Sequence, residues 1–222
     1  MASEPSTRVM PVFPLNSVVF PRMPLPLHIF EERYRQMVKD LPEAGGRFCV
    51  SLIREGVEVG GEATPHNVGC VVEVAHTRRL PDGRFYLVTV GVERVRIVSL
   101  DRSSKPYLLG SVEPWPEEQS PVAAPLLDAA SRLFTEYARH RMALSGERLD
   151  DFTLPQEADV LSYVLAMAIE VDAHERQRLL ETPDTATRIK AEVDLLQTEL
   201  PIIRAIAAAS HPSPTQGPFS RN

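Results

Sequence analysis

The sequence predicts an α+β chain: short strands curled into a small, closed or nearly closed β-barrel with one inserted helix, followed by a helical bundle. Two observations predict the strands. Apolar side chains alternate with their neighbours over 48–52, 70–75 and 86–92, the period-two pattern of half-buried or barrel-lining strands. Proline is abundant, 20 of 222 residues, with six by Pro26 and five from Pro106 to Pro125, which suits short elements separated by turns. A third observation predicts the helices: 126–210 holds only Pro155, Pro183 and Pro201, and its apolar residues take a helical period.

Taken in order, the chain opens with a dense apolar and proline run, 13–34, stiff where it enters the first helix. Phe30, Tyr34, Met37, Val38 and Leu41 recur at i, i+4, i+7, i+8 and i+11 and stop before Pro42, marking an amphipathic helix. Strands follow at Phe48, Val50 and Leu52, then at Cys70, Val72 and Val74, then at Tyr86, Val88, Val90 and Val92. Pro81-Asp82-Gly83 joins the last two runs as a hairpin turn, proline presetting φ and glycine accepting positive φ. In the third run the apolar parity moves from even numbers to Val95 and Ile97. Such a slip requires a β-bulge or a sharp bend near 91–94, a feature that helps a sheet curl towards closure. After the acidic, proline-rich joint 113–121, one stripe joins Leu126, Ala130, Leu133, Phe134, Tyr137 and Ala138, and a second joins Val160, Leu161, Val164, Leu165 and Ala168. Asp172 with Glu175 caps a short helix reaching Leu180, and Thr182-Pro183 reads as N-cap and first turn of the last helix, which carries Ile189, Val193, Leu196, Leu200 and Ile203 and is kinked at Pro201. The expected division is 8–116 for the strand-rich part, 121–210 for the helical part and a frayed tail over 211–222.

Composition narrows the function. The longest uncharged apolar run, 160–169, is half of what a membrane span needs, so no bilayer crossing is expected. The opening residues lack an apolar stretch behind a basic start, and a cytoplasmic chain without a secretory leader is the expectation. Net charge is −6, and the second half is the more acidic, poorly suited to tracking phosphates. Cys49 and Cys70 are too few for a thiolate metal site or a disulfide framework and read as buried free thiols. The three lysines precede Asp40, Pro106 and Ala191, so no Gly-Lys-Ser/Thr phosphate loop exists, and none lies in a turn suited to a Ser-Lys peptidase dyad. The six histidines show no metal-ligand spacing. A protein without catalysis, metal or cofactor is the expectation.

Four features stand above this background: the run 13–34; Arg78, Arg79 and Arg84 around the hairpin turn; Arg94 and Arg96 beside the parity switch, read as outward-facing; and Trp115 in the joint, read as buried. The first is richest. Pro14-Leu-Asn-Ser-Val-Val-Phe-Pro21 followed by Leu25-Pro-Leu-His-Ile-Phe-Glu-Glu-Arg-Tyr34 resembles the opening signature of the amino-terminal, substrate-binding domain of the Lon ATP-dependent protease family. Gly69-Cys-Val-Val-Glu-Val, Pro81-Asp-Gly-Arg84, Gly91-Val-Glu-Arg-Val-Arg-Ile97, Gln177-Arg-Leu-Leu-Glu181 and Leu195-Leu-Gln-Thr-Glu-Leu200 follow in the same order, so the resemblance runs from about Val9 to Ala208.

That resemblance implies a PUA-like barrel followed by helices, without the ATPase and peptidase domains. It implies a non-catalytic module that binds unfolded or exposed hydrophobic polypeptide segments, as an adaptor or regulator in protein quality control, with a protease or chaperone as further partner. The residues expected to carry binding are Pro24, Leu25, Pro26, Leu27, Phe30 and Tyr34, with Arg33 and Arg84 as polar anchors. The alternative is RNA or other nucleic-acid binding through Arg78, Arg79, Arg84, Arg94 and Arg96. Self-association through Ile202, Ile203 and Ile206 is the third expectation.

Overall fold

The computed structural model of the chain describes residues 7–42, 45–118, 120–147 and 153–210, so the tail expected over 211–222 lies outside the described residues. Seven strands, β1 (Arg8–Leu15), β2 (Pro24–Ile29), β3 (Arg47–Gly56), β4 (Ala63–Pro65), β5 (Val68–Arg79), β6 (Phe85–Asp101) and β7 (Leu108–Pro114), form one sheet. The helices are α1 (Glu32–Asp40), α2 (Ala124–Leu144), α3 (Ala158–Ala168), α4 (Ala173–Glu181) and α5 (Thr185–Ser210). Two units divide the chain, with boundaries after Gln119, Leu165 and Asp184. All strands, α1 and α4 fall in the first unit; α2, α5 and most of α3 fall in the second. The sequence division at 116–121 does not anticipate this return of 166–184 to the strands.

In the first unit the neighbours run β1-β7-β6-β5-β3-β4, and β1 also pairs in parallel with β3, Val12 opposite Cys49. The pairings β1–β7–β6–β5–β3–β1 therefore make a closed circuit of five strands, which leaves those strands no open edge along the paired stretch. A core of Met10, Val12, Cys49, Val71, Val95, Ile97 and Val112 draws on all five. A second core, including Phe13, Val19, Tyr34, Met37, Phe48, Cys70, Phe85 and Leu87, lies on the other sheet face under α1 and β2.

The long strand β6 serves both cores because of the bulge that the parity change predicts. Val72 pairs with Gly91 and Val71 with Glu93, leaving Val92 unpaired. Odd residues face the second core before this point, whereas Val95 and Ile97 enter the first core after it. Glycine precedes the bulge for a steric reason: a Cβ on Gly91 would lie 2.1 Å from the Phe20 carbonyl oxygen. The predicted hairpin also forms, with Gly83 at φ 84° and the Gly83 amide donating to Leu80 O at 3.0 Å.

Arg94 differs from expectation. It is 3% exposed, not outward, and its Nη1 donates to the carbonyls of Leu180 at 2.8 Å and Thr182 at 2.5 Å. Gln177 Nε2 likewise donates to Val68 O at 3.0 Å, so α4 is tied to the strands by side chains reaching backbone acceptors. The Asp172 cap is as predicted, its side chain accepting the Glu175 amide at 2.8 Å. Thr182 instead closes α4, with its hydroxyl on Arg178 O, and α5 begins at Thr185 and runs through Pro201.

The second unit packs α2 on α5 through Ala130, Phe134 and Tyr137 on one helix and Ile189, Val193, Leu196 and Leu200 on the other. It also encloses a buried polar group. Arg188 Nε donates to Ser162 Oγ at 2.7 Å, that hydroxyl donates to the Glu192 carboxylate at 2.9 Å, and the Arg188 guanidinium lies 4.2 Å from the Tyr163 ring centre.

Candidate functional site

The exposed surface of interest begins with β2, where prolines alternate with larger residues. Leu25, Leu27 and Ile29 turn inward to the second core, so Pro24, Pro26 and His28 must face solvent. Antiparallel pairing sets Pro24 opposite Val90, Pro26 opposite Val88 and His28 opposite Tyr86. On β6 the inward residues are Phe85, Leu87, Thr89 and Gly91, leaving Tyr86 42%, Val88 44%, Val90 36% and Val92 39% exposed. The even-numbered apolar residues that the sequence marks as a strand face thus point outward over this stretch. β5 extends the face, setting His76 opposite Val88 and Arg78 opposite Tyr86.

The outcome is a three-stranded surface that is apolar along β2 and β6 and polar along β5, where Glu73 stands opposite Val90 and pairs with Arg47 and where His76 and Arg78 follow towards a polar corner. At that corner the Tyr86 ring stacks on His28, centroids 4.6 Å apart, and the Arg78 guanidinium sits 5.1 Å from the Tyr86 centroid. Phe30, 46% exposed, lies 5.8 Å from the His28 ring. Phe30 precedes α1 and is not part of it.

Beside Phe30 a cleft of about 140 Å³ is lined by Phe13, Pro26, Leu27, Phe30, Tyr34 and Val59, among others. Tyr34 is buried and T-shaped against Phe13, centroids 4.3 Å apart, and burial pushes its phenol pKa upward, an effect that neighbouring Arg33 opposes. Arg33 lies over the Tyr34 ring at 4.5 Å and holds the β3–β4 loop, its Nη1 donating to Gly61 O at 2.8 Å. Of the expected binding residues, then, Pro24, Pro26 and Phe30 are at the surface. Leu25, Leu27 and Tyr34 sit behind it, Arg33 braces the loop, and Arg84 lies at the hairpin tip with its Nε on Asp82 at 2.7 Å. The exposed partners Tyr86, Val88 and Val90 on β6 are additions; their alternation was visible in the sequence, but which face of the strand is uncovered was not.

The remaining arginines are dispersed. Arg94 is buried, Arg96 covers the half-buried Trp115 at 4.6 Å, and Arg78 stands beside the apolar face, opposite Tyr86. Both thiols are free and buried; burial raises the Cys49 pKa well above the ordinary thiol range and that of Cys70 to about 12. Among the described residues no three His, Cys, Asp or Glu are grouped to hold a metal, and no helix is long and apolar enough to cross a membrane. Ile202 and Ile206, each 50% exposed, lie one turn apart on α5.

Residues 9–198 match the family model described as the ATP-dependent protease La (LON) substrate-binding domain. Lon protease 1 of Syntrophobacter fumaroxidans is 27% identical over 205 residues, 87% of this chain and 25% of that protein. The Lon protease of Desulfovibrio desulfuricans is 29% identical over 208 residues, 91% of this chain and 23% of that protein. The chain thus spans about a quarter of the length of these curated relatives. Among solved structures, a Lon N-terminal domain protein from Xanthomonas campestris superposes with a TM-score of 0.61 at 25% identity, covering 82% of this chain and 95% of that one. The N-terminal domain of a Mycobacterium avium complex Lon protease gives 0.62 at 17% identity over 86% and 98%, a likeness of fold.

Proposed function

Because the chain belongs to the family of the ATP-dependent protease La (Lon) substrate-binding domain, we propose that it is a polypeptide-recognition module that takes exposed apolar segments of other proteins across the β2–β6–β5 face. The observation that carries this reading is the outward alternation of Tyr86, Val88, Val90 and Val92 beside Pro24 and Pro26, a contiguous apolar surface where a sheet facing water ordinarily carries polar side chains. Binding uses the face rather than the free edge of β2, since Pro24 and Pro26 have no N–H to offer a further strand. Pro24, Pro26 and Phe30 make contact, while Leu25, Leu27 and Tyr34 hold them in place from behind. Arg33 fixes the neighbouring loop and Arg84 supplies a polar anchor at the hairpin tip. A surface already held by strand pairing loses little conformational entropy on binding.

The wider role that fits is an adaptor or regulator in cytoplasmic protein quality control, with a protease or chaperone acting on what the module holds and no catalysis or cofactor of its own. In this reading the five-strand circuit is a small PUA-like barrel and the face is its open sheet extension. Hydrogen exchange tests the site. A permanently unfolded apolar polypeptide should slow amide exchange over 24–30 and 86–92 and leave 120–147 unchanged. Protection confined to α5, or to the hairpin tip 78–84 with RNA as ligand, would replace this reading with self-association or nucleic-acid binding.

A further inference from the structure

Tyr34 is a wall shared by two cavities. On one side is the cleft beside Phe30, largely apolar with Glu31 and Glu58 at its rim; on the other is a pocket of about 150 Å³ whose lining includes Arg33, Glu62, Arg102, Lys105 and Tyr107. Three of these side chains are cationic and one is a carboxylate. Lys105 shares its charge with Asp40 at 3.0 Å, and Arg33 meets Glu31 at 3.1 Å. Arg102 does neither. Its Nη2 donates only to neutral oxygens, Ala63 O at 3.2 Å and Thr64 Oγ1 at 3.4 Å, and among the described residues it has no carboxylate partner. Arg33 adds a buried Nε without a hydrogen-bond partner. Hydrogen-bond donors therefore converge on one pocket beside the Phe30 cleft, where Arg102 bonds only neutral oxygens and Glu62 is the one carboxylate of the lining.

We infer that this pocket is a carboxylate subsite and that the two cavities together take an apolar residue and an adjacent carboxylate of the bound polypeptide. The inference rests on the polypeptide-recognition reading and sharpens it. A carboxylate accepts from a guanidinium through paired, charge-assisted bonds, which suits Arg102, and Lys105 offers a further proton from the same loop. The apolar side chain then crosses Tyr34 into the cleft formed by Phe13, Leu27, Phe30 and Val59. The carboxylate comes either from the end of a chain or from an Asp or Glu side chain.

N-acetyl-leucine and N-acetyl-leucinamide, titrated separately into the isotope-labelled full chain, test this by NMR. The free acid should give saturable shifts at amides near 33–34, 59–63 and 102–107, and the amide should bind about tenfold more weakly. Arg102→Gln should abolish the preference for the acid, and Arg102→Lys should retain part of it. N-acetyl-aspartyl-leucinamide identifies the source: binding like the free acid assigns a side-chain carboxylate, and weaker binding assigns a chain terminus. Equal binding of acid and amide by the folded wild-type protein, or shifts confined elsewhere, would overturn the subsite. Capture of unfolded polypeptide without any acid preference would remove the subsite alone. Acid binding here without polypeptide capture would remove the recognition reading and leave the subsite.

Discussion

Replacing Val88 and Val90 together by threonine tests the apolar face while keeping the shape and strand preference of both side chains. Full burial of a valine is worth roughly 2 kcal/mol. With Val88 44% and Val90 36% exposed, covering them completely contributes roughly 0.9 and 0.7 kcal/mol to capture. Threonine forfeits about half of that and adds about 1 kcal/mol per unpaired hydroxyl desolvated. The expected loss is about 2.8 kcal/mol, near 100-fold in Kd. Anisotropy of a labelled, permanently unfolded polypeptide measures it, and urea unfolding supplies the control. Because both positions are exposed, stability should stay within about 0.5 kcal/mol of wild type. A folded double variant that binds within threefold of wild type would refute the assignment of the face.

Other consequences follow from buried and paired groups. Arg94→Met should destabilise the protein by about 3 kcal/mol in urea titration, because one buried and one part-buried carbonyl lose a charged donor. Cys49 and Cys70 should be silent to a thiol reagent at pH 8 and react only at the rate of unfolding, since burial disfavours both thiolates. Hydrogen bonds from Tyr107, Lys105 and Gln36 hold Asp40 at a pKa of about 2. This carboxylate's stabilisation is complete above the unfolded value near ~3.9 and is lost as pH falls through about 2. Burial, then the bond to Asp40, raises Tyr107 to about 12, so its contribution is complete below ~10 and disappears as pH rises through about 12. Asp40→Asn should flatten the acid limb of the urea midpoint against pH.

Much of this fold is written locally, and that part was legible. The 81–83 turn, the bulge beside Gly91, the Asp172 cap and the apolar stripes of α2, α3 and α5 each depend on residues close in sequence. β2 was not legible as a strand, because Pro24 and Pro26 argue against a strand unless it is an edge, and only its pairing with β6 shows that it is one. The inward turn of Arg94 depends on carbonyls some ninety residues away, and the closing parallel pair β1–β3 depends on strands separated by a whole helix. The same limit governed the candidate site. Phe30, Pro24 and Pro26 could be singled out from composition, but the exposure of Val88 and Val90 depends on β5, β6 and β2 continuing past the strand circuit. Alternation alone does not reveal which of a strand's two faces finds a covering layer.

The most direct measurement is the anisotropy of labelled unfolded polypeptide and labelled RNA with the purified protein, each from low to high salt. Capture by an apolar face predicts polypeptide binding nearly unchanged across that range and no comparable RNA affinity. RNA binding that falls steeply with salt, with no polypeptide bound at any salt concentration, would contradict the assignment of this chain as a polypeptide-recognition module.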